Sequence, residues 1–261
     1  MNQTPSDQLS TPTRKVLTVI ADAGTALLAS GAEVARVEDT MQRLAAAYHI
    51  EAVEVIVLPT ALFVSAAGSE TIIRRIRRRA VNLAVVAAIN QLSRDVSHNP
   101  VPMAELERRL VEARHTARYR PEANLLFAAV GAGAISQLMG GVKVDIIPAL
   151  VAGAFTQLVR ERLHRAGLLG GVADMISAMA AVIPGVAAAY WGLPHPGAVL
   201  VGGIMVLTPG LLMTTAVRDG IQGDLLSAAA RILEALLSAG AIAAGASLPL
   251  YVYFALGGRW A

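Results

Sequence analysis

Asp174 lies about six residues into an apolar stretch that runs from about Leu168 to Tyr190 and holds no other charge. An ionisable group inside such a stretch is costly to keep in a bilayer, so it faces a partner, a cavity or a migrating proton. A second concentration of chemistry comes later in the chain. Pro209-Gly210 interrupts the apolar stretch Gly197–Val217, Thr214 and Thr215 supply hydroxyls just beyond, and Arg218, Asp219, Asp224, Arg231 and Glu234 follow closely. These residue types suit ligand handling more than bond making. A helix broken at mid-membrane offers backbone N–H and C=O groups to a solute. Arginine pairs with a carboxylate through two parallel donors, and a partly buried aspartate can take up a proton. Each feature also has a plain structural reading. Asp174 reads equally as an interfacial or helix-paired carboxylate, and Pro209-Gly210 as an ordinary kink. Arg231 and Glu234, three apart on one helical face, read more readily as an intrahelical pair at the cytoplasmic end than as a direct substrate contact.

Catalytic chemistry finds no support. The chain has no cysteine, which excludes disulfides, thiolate metal sites and cysteine nucleophiles. His49, His98, His115, His164 and His195 are scattered without metal-ligand spacing, and no GxSxG, P-loop or GxGxxG run is present. Glu38 and Asp39 are adjacent, so on a helix they diverge and make a poor acid–base pair. No enzyme, cofactor or metal is expected. Nucleic acid is not expected either, because the arginines are not interleaved with aromatics.

The elements that must position these residues follow from the charge distribution. Residues 1–121 carry 27 of the 41 Asp, Glu, Lys and Arg, leaving 14 for the remainder. Hydrophobic residues make up 55% of the chain but aromatics only 4%, so the apolar mass is small and aliphatic. That composition suits helices packed closely in lipid through small side chains. Five apolar segments can be drawn, about 123–141, 146–159, 168–190, 197–217 and 225–254, against the roughly 20 residues a span requires. The second is short unless Asp145 and Arg160 sit at the interfaces. Arg114, Arg118 and Arg120 precede the first segment, Arg160, Arg162, His164 and Arg165 follow the second, and Arg218 follows the fourth. With an odd number of spans these clusters share one side, which predicts a cytoplasmic N-terminus and an outward C-terminus. The polar start, Met1 to Arg14, lacks the apolar core of a signal peptide, so residues 1–121 are expected to stay in the cytoplasm.

Those residues show mixed periodicity. Helices are predicted over Arg14–Ala29, Glu33–Tyr48, Leu83–Val96 and Met103–Tyr119, with a small sheet of about three strands between Ile50 and Ile76. Gly68-Ser69 marks a turn within it. Five arginines between Ile73 and Arg79 read as a solvated run, or as a contact for lipid head groups or an anionic solute. The predicted fold class is a membrane α-helical protein, with a cytoplasmic α+β domain over 1–121 and about five transmembrane helices over 122–261.

Two stretches together resemble the threonine/serine exporter family, in particular its YjjP-like half. The first is Leu27-Leu28-Ala29-Ser30-Gly31-Ala32-Glu33 with Arg36-Val37-Glu38 and the later Leu58-Pro59-Thr60. The second is Pro209-Gly210, Arg218-Asp219, Gly223-Asp224-Leu225, and Arg231 with Glu234-Ala235. The order of these pieces and the soluble-then-five-span layout cover nearly the whole chain. One departure is Leu211-Leu212-Met213-Thr214-Thr215, where the family leads one to expect a polar residue such as Asn near Ala216.

The resemblance implies a secondary exporter of small polar metabolites in a bacterial inner membrane, driven by the proton gradient. Threonine and serine are the substrates implied, or dicarboxylates such as succinate for the split form, in which a second, smaller polytopic subunit supplies the other half. Arg218 or Arg231 would then draw in a carboxylate, and Asp174, Asp219 or Asp224 would take the coupling proton. The competing expectation is a membrane-anchored sensor or scaffold whose soluble domain binds a ligand or protein, which would not need the charged loop beside a Pro-Gly break.

Overall fold

The computed structural model describes residues 5–67, 70–77, 81–116 and 120–259. It is mostly helical and divides into two compact units, Met1–Arg118 with Thr214–Arg231, and Tyr119–Met213 with Ile232–Ala261.

The first unit contains α1 (Pro5–Ala29), α2 (Val34–Ala47), α3 (Leu83–His98) and α4 (Met103–Arg114) around β1 (Glu54–Leu58), β2 (Ala61–Ser65) and β3 (Ile72–Arg75). The strands form an antiparallel sheet in the order β1-β2-β3, with Ile56 opposite Phe63 and Phe63 opposite Ile73. Helix α1 begins earlier than the periodicity predicts, at Pro5, a residue whose fixed φ suits a first helical position. It ends at Ser30-Gly31, where Gly31 takes the left-handed conformation (φ 87°) that closes many helices. Strand β1 starts later than predicted because Ala52 is left-handed (φ 49°) and interrupts the extended run. Leu17, Ile20, Leu27, Leu28, Val34, Met41, Leu44, Leu62 and Ile89 are buried together as the core. Gly24 permits the approach of α2 and β2, since a Cβ there would lie 2.3 Å from Met41 Sδ. The predicted turn at Gly68-Ser69, Arg78 and Arg79 of the arginine run, and Arg118 and Tyr119 lie outside the described residues. Within that run Arg74 pairs with Asp22, Nε to Oδ1, at 3.1 Å.

The second unit contains α5 (Pro121–Leu138), a 3-10 turn (Lys143–Asp145), α6 (Ile146–Arg165), α7 (Gly170–Tyr190) and α8 (Pro196–Met205). Helices α9 (Gly210–Ile221) and α10 (Leu225–Ala255) complete the chain. Small residues set the helix spacing, as the composition implies. A Cβ on Gly153 would lie 2.4 Å from the Ala128 carbonyl oxygen, and one on Gly202 2.5 Å from that of Ala132. Helices or a broken pair fill all five predicted segments. By length and apolarity α7 and α10 can cross a membrane, and a third crossing is available if α8 and α9, bent by 57° at their break, act as one. Helix α6 runs past the predicted end at Val159 and keeps Arg160, Glu161, Arg162 and Arg165 inside the helix. An ion pair from Arg165 to Glu161 at 2.9 Å supports that last turn.

Candidate functional site

Among the described residues the buried carboxylates are Asp145, Asp174 and Asp219, and the buried cation is Arg231. A charge withdrawn from water must be paired or hydrogen-bonded to persist. The partners of these groups therefore define the polar framework.

In the first unit, Asp219 of α9 lies against the start of α2. Its Oδ1 accepts the Val34 backbone N–H at 3.3 Å, and its Oδ2 lies 2.8 Å from Arg231 Nε. Arg231 also donates from Nη2 to the Ala32 carbonyl at 2.8 Å. The α2 cap residue, Glu33, makes no side-chain cap of its own. Asp219 thus satisfies a first-turn donor and sets a negative charge at the positive end of the helix. Glu33 instead turns to Arg218, which donates from Nη1 to Glu33 Oε1 at 2.9 Å, while Arg36 stands 3.8 Å from the other oxygen. Arg218 keeps 56% of its side chain exposed. Glu38 accepts the Val57 N–H at 3.2 Å, which ties α2 to β1. Burial raises the Glu38 carboxyl above the ordinary glutamate range, the Val57 N–H opposes this, and the negative Asp224 adds to it. Asp224 accepts the Ala228 N–H at its backbone carbonyl (2.9 Å) and stands at the head of α10, after the left-handed turn at Gly223.

In the second unit, Asp174 of α7 joins three helices. Arg160 Nε of α6 stands 3.5 Å from Asp174 Oδ1, and Ser238 of α10 donates its hydroxyl to Oδ2 at 2.8 Å. A further carboxylate, Asp145, closes the 3-10 turn. Its Oδ2 accepts the Val142 N–H at 2.9 Å and lies 3.2 Å from His195 Nδ1.

Within the first unit the structure gathers Asp219, Arg231, Arg218 and Asp224 with the head of α2, and within the second it sets Asp174 with Arg160 and Ser238. Arg231, read with Glu234 as an intrahelical pair or as a carboxylate receptor, is buried against Asp219 and the Ala32 carbonyl. Pro209-Gly210, read as a break or as an ordinary kink, falls at a break, since α8 ends at Met205 and α9 starts at Gly210. Thr215 is buried one turn into α9 and Thr214 is exposed. Glu234 follows Arg231 by about a turn of α10 and is half-buried. Sequence reasoning used Arg160 for orientation and, with Asp145, as an interfacial marker, weighed His195 only as a scattered histidine, and passed over Ser238. The available signal for Asp145 and His195 was their placement in short links between apolar segments, Asp145 two residues after Lys143 and His195 between Pro194 and Pro196.

The family model described as "Putative threonine/serine exporter" matches residues 18–253. The "Probable threonine/serine exporter" of Mycobacterium tuberculosis is 27% identical over 246 residues, which is 91% of this chain and 46% of that protein. The "Threonine/serine exporter" of Corynebacterium glutamicum is 29% identical over 173 residues, 64% of this chain and 35% of that protein. The chain thus spans less than half the length of these curated relatives. No solved structure matches it. With the match to the family model running from α1 to the last turns of α10, the chain belongs to the threonine/serine exporter family.

Proposed function

We propose that this chain is one part of a secondary exporter that moves threonine- or serine-type amino acids, or dicarboxylates such as succinate, out of a bacterial cell across the inner membrane. Five crossings, a cytoplasmic N-terminal domain over 1–121 and an outward C-terminus complete this reading. It works with a second, smaller polytopic subunit and draws on the proton gradient. The observation that carries the proposal is the Arg160–Asp174–Ser238 node, an ion pair with a hydroxyl donor set among apolar helices of the second unit. A membrane anchor would have no use for it, and a charge there is expensive unless it serves a path. The basic loops support the orientation, and the contact of Arg218 of α9 with Glu33 is consistent with it. The length of the curated relatives supports the second half.

In this mechanism the exposed Arg218 draws in a solute carboxylate at the cytoplasmic mouth and exchanges its contact with Glu33 for one with the solute. The break before Gly210 offers backbone groups and the Thr214 hydroxyl to a zwitterion. At the second unit's node, the solute carboxylate competes with Asp174 for Arg160. Efflux of threonine, serine and succinate from preloaded cells, with and without the partner subunit and with the gradient collapsed, tests the reading. Gradient-sensitive efflux that needs both chains supports it. Absence of efflux for all three solutes, with both proteins present in the membrane, overturns it.

A further inference from the structure

Several helical hydroxyls in this chain return to the carbonyl four residues back: Thr25 to Ala21, Thr40 to Arg36 and Ser177 to Ala173, at 2.7–2.8 Å. Thr156 of α6 does not. It is fully buried, yet its Oγ1 has no hydrogen-bond partner among the described residues. A buried hydroxyl left unpaired costs stability, and the usual remedy, the Ala152 carbonyl, lies one turn back on the same helix. Asp174 Oδ1, on α7, is likewise buried without a hydrogen bond, with Arg160 Nε 3.5 Å away. The other neutral hydroxyl in this state, Ser136, sits beside Gly141 in the last turn of α5.

Packing in the second unit fixes the level at which Thr156 stands. Ala152, Thr156 and Arg160 follow four residues apart and share one face of α6. At the Ala152 level, a Cβ on Gly203 of α8 would lie 3.1 Å from Ala152 Cβ and 3.5 Å from the Ala181 carbonyl oxygen of α7. At the Arg160 level stand Asp174 of α7 and Ser238 of α10. Between these levels, Ala178 of α7 and Ile242 of α10 are buried with Leu207, which belongs to the link between α8 and α9. Thr156 is therefore level with the helix break and one turn from Arg160, roughly 5–6 Å between Cβ atoms at this spacing. A cation, a carboxylate oxygen and a hydroxyl, the last two without hydrogen bonds, come within the span of one small molecule.

We propose that Thr156 reads a side-chain hydroxyl on the exported solute. Resting on the exporter reading, an α-amino acid sets its carboxylate on Arg160 and its ammonium on Asp174 Oδ1, and its hydroxyl pairs with Thr156 Oγ1. A hydroxyl both donates and accepts, so it satisfies Thr156 whichever way that group turns. An analogue lacking the hydroxyl leaves Thr156 unpaired, and a site built to bond a hydroxyl rejects such analogues. A dicarboxylate would set its second carboxylate against Asp174.

Titration of the full chain in lipid nanodiscs with threonine and with α-aminobutyrate, the same skeleton without the hydroxyl, tests the site. The wild type should bind threonine at least about tenfold more tightly, and Thr156→Val should abolish that preference. Thr156→Ser should restore it, and Ser136→Ala should leave it unchanged. Comparing the two solutes needs no variant, so it decides even where Thr156→Val fails to fold. Where that variant folds, its thermal midpoint should equal or exceed the wild type's, because the hydroxyl loses no partner. A lowered midpoint makes Thr156 a structural tie and overturns the proposal. Equal binding of the two solutes, no binding of threonine, or a preference that survives in Thr156→Val also overturns it. Hydroxyl-dependent binding by a chain that exports no solute leaves the site standing and removes the exporter reading. Efflux that treats threonine and α-aminobutyrate alike keeps the exporter reading and overturns the site.

Discussion

Asp219 caps a helix that begins 185 residues before it: its Oδ1 accepts the Val34 N–H, the first donor of α2. The same carboxylate holds Arg231, which reaches on to the Ala32 carbonyl. The link into α2, the α9–α10 loop and the first turns of α10 are thus joined by one buried ion pair. The residues that carry the family resemblance at 31–38 and at 218–231 are therefore in contact, which gives a physical reason for two distant stretches to appear together.

Removing one member of this pair should cost far more than removing both. Asp219→Asn keeps an acceptor for Val34 but leaves Arg231 buried without its counter-charge, an expected loss of about 3–5 kcal/mol. Asp219→Leu with Arg231→Met should recover most of that loss, because both desolvated charges leave together. A double-mutant cycle of unfolding on the full chain measures this coupling, and purely additive losses would refute it.

Glu38 should give stability a pH slope of definite sign. Its carboxyl is raised by burial, so the folded chain binds that proton more tightly than the unfolded chain does. Stability from this group is then complete below the unfolded value of about 4.3 and is lost as pH rises through the raised folded value. Glu38→Gln retains an oxygen acceptor for the Val57 N–H. It should match the wild type in acid and exceed it at mildly alkaline pH. Unfolding midpoints at the two conditions check this, and a variant weaker than the wild type in alkali would contradict it.

The helices were legible because apolar spacing and Gly or Pro punctuation act locally. Ser30-Gly31 ended α1, and Pro209-Gly210 fell at the break between α8 and α9. Asp174 was legible as a charge in need of a partner, but Arg160 and Ser238 become its neighbours only once three helices pack. The Asp219 cap was not legible, since a side-chain bond to a backbone N–H across 185 residues leaves no periodic trace. Arg231 was legible only through its i,i+3 spacing to Glu234, because the buried acid that faces it, Asp219, lies on another helix and leaves no mark on that spacing.

Helix spacing in the second unit should depend on particular glycines and not on glycine content. A Cβ at Gly245 of α10 would lie 2.1 Å from the Met175 carbonyl oxygen of α7, whereas one at Gly240 meets nothing within 4 Å. Gly245→Ala must separate the two helices, at a cost of roughly 1–3 kcal/mol. Gly240→Ala should be neutral or slightly stabilising, since alanine favours a helix. Comparing folded yield and thermal midpoint of the two variants in one detergent separates these outcomes, and equal behaviour would show that the close approach is not limiting.

Asp174→Asn separates charge from packing at the three-helix node. The asparagine Oδ1 still accepts from Ser238, and Arg160, with 35% of its side chain exposed, can turn to water. Folding should therefore survive while the competition between Asp174 and a solute carboxylate for Arg160 disappears. Net efflux of threonine, serine or succinate should fall at least about tenfold, the change that roughly 1.4 kcal/mol of differential binding produces, at unchanged abundance in the membrane. Ser238→Ala is the matched control: it removes one donor, costs about 1 kcal/mol of stability, and leaves the charge pair able to exchange. Efflux lost in Asp174→Asn but kept in Ser238→Ala assigns the effect to charge. Equal efflux in both would take Asp174 out of the solute path and leave it a structural tie between α6 and α7.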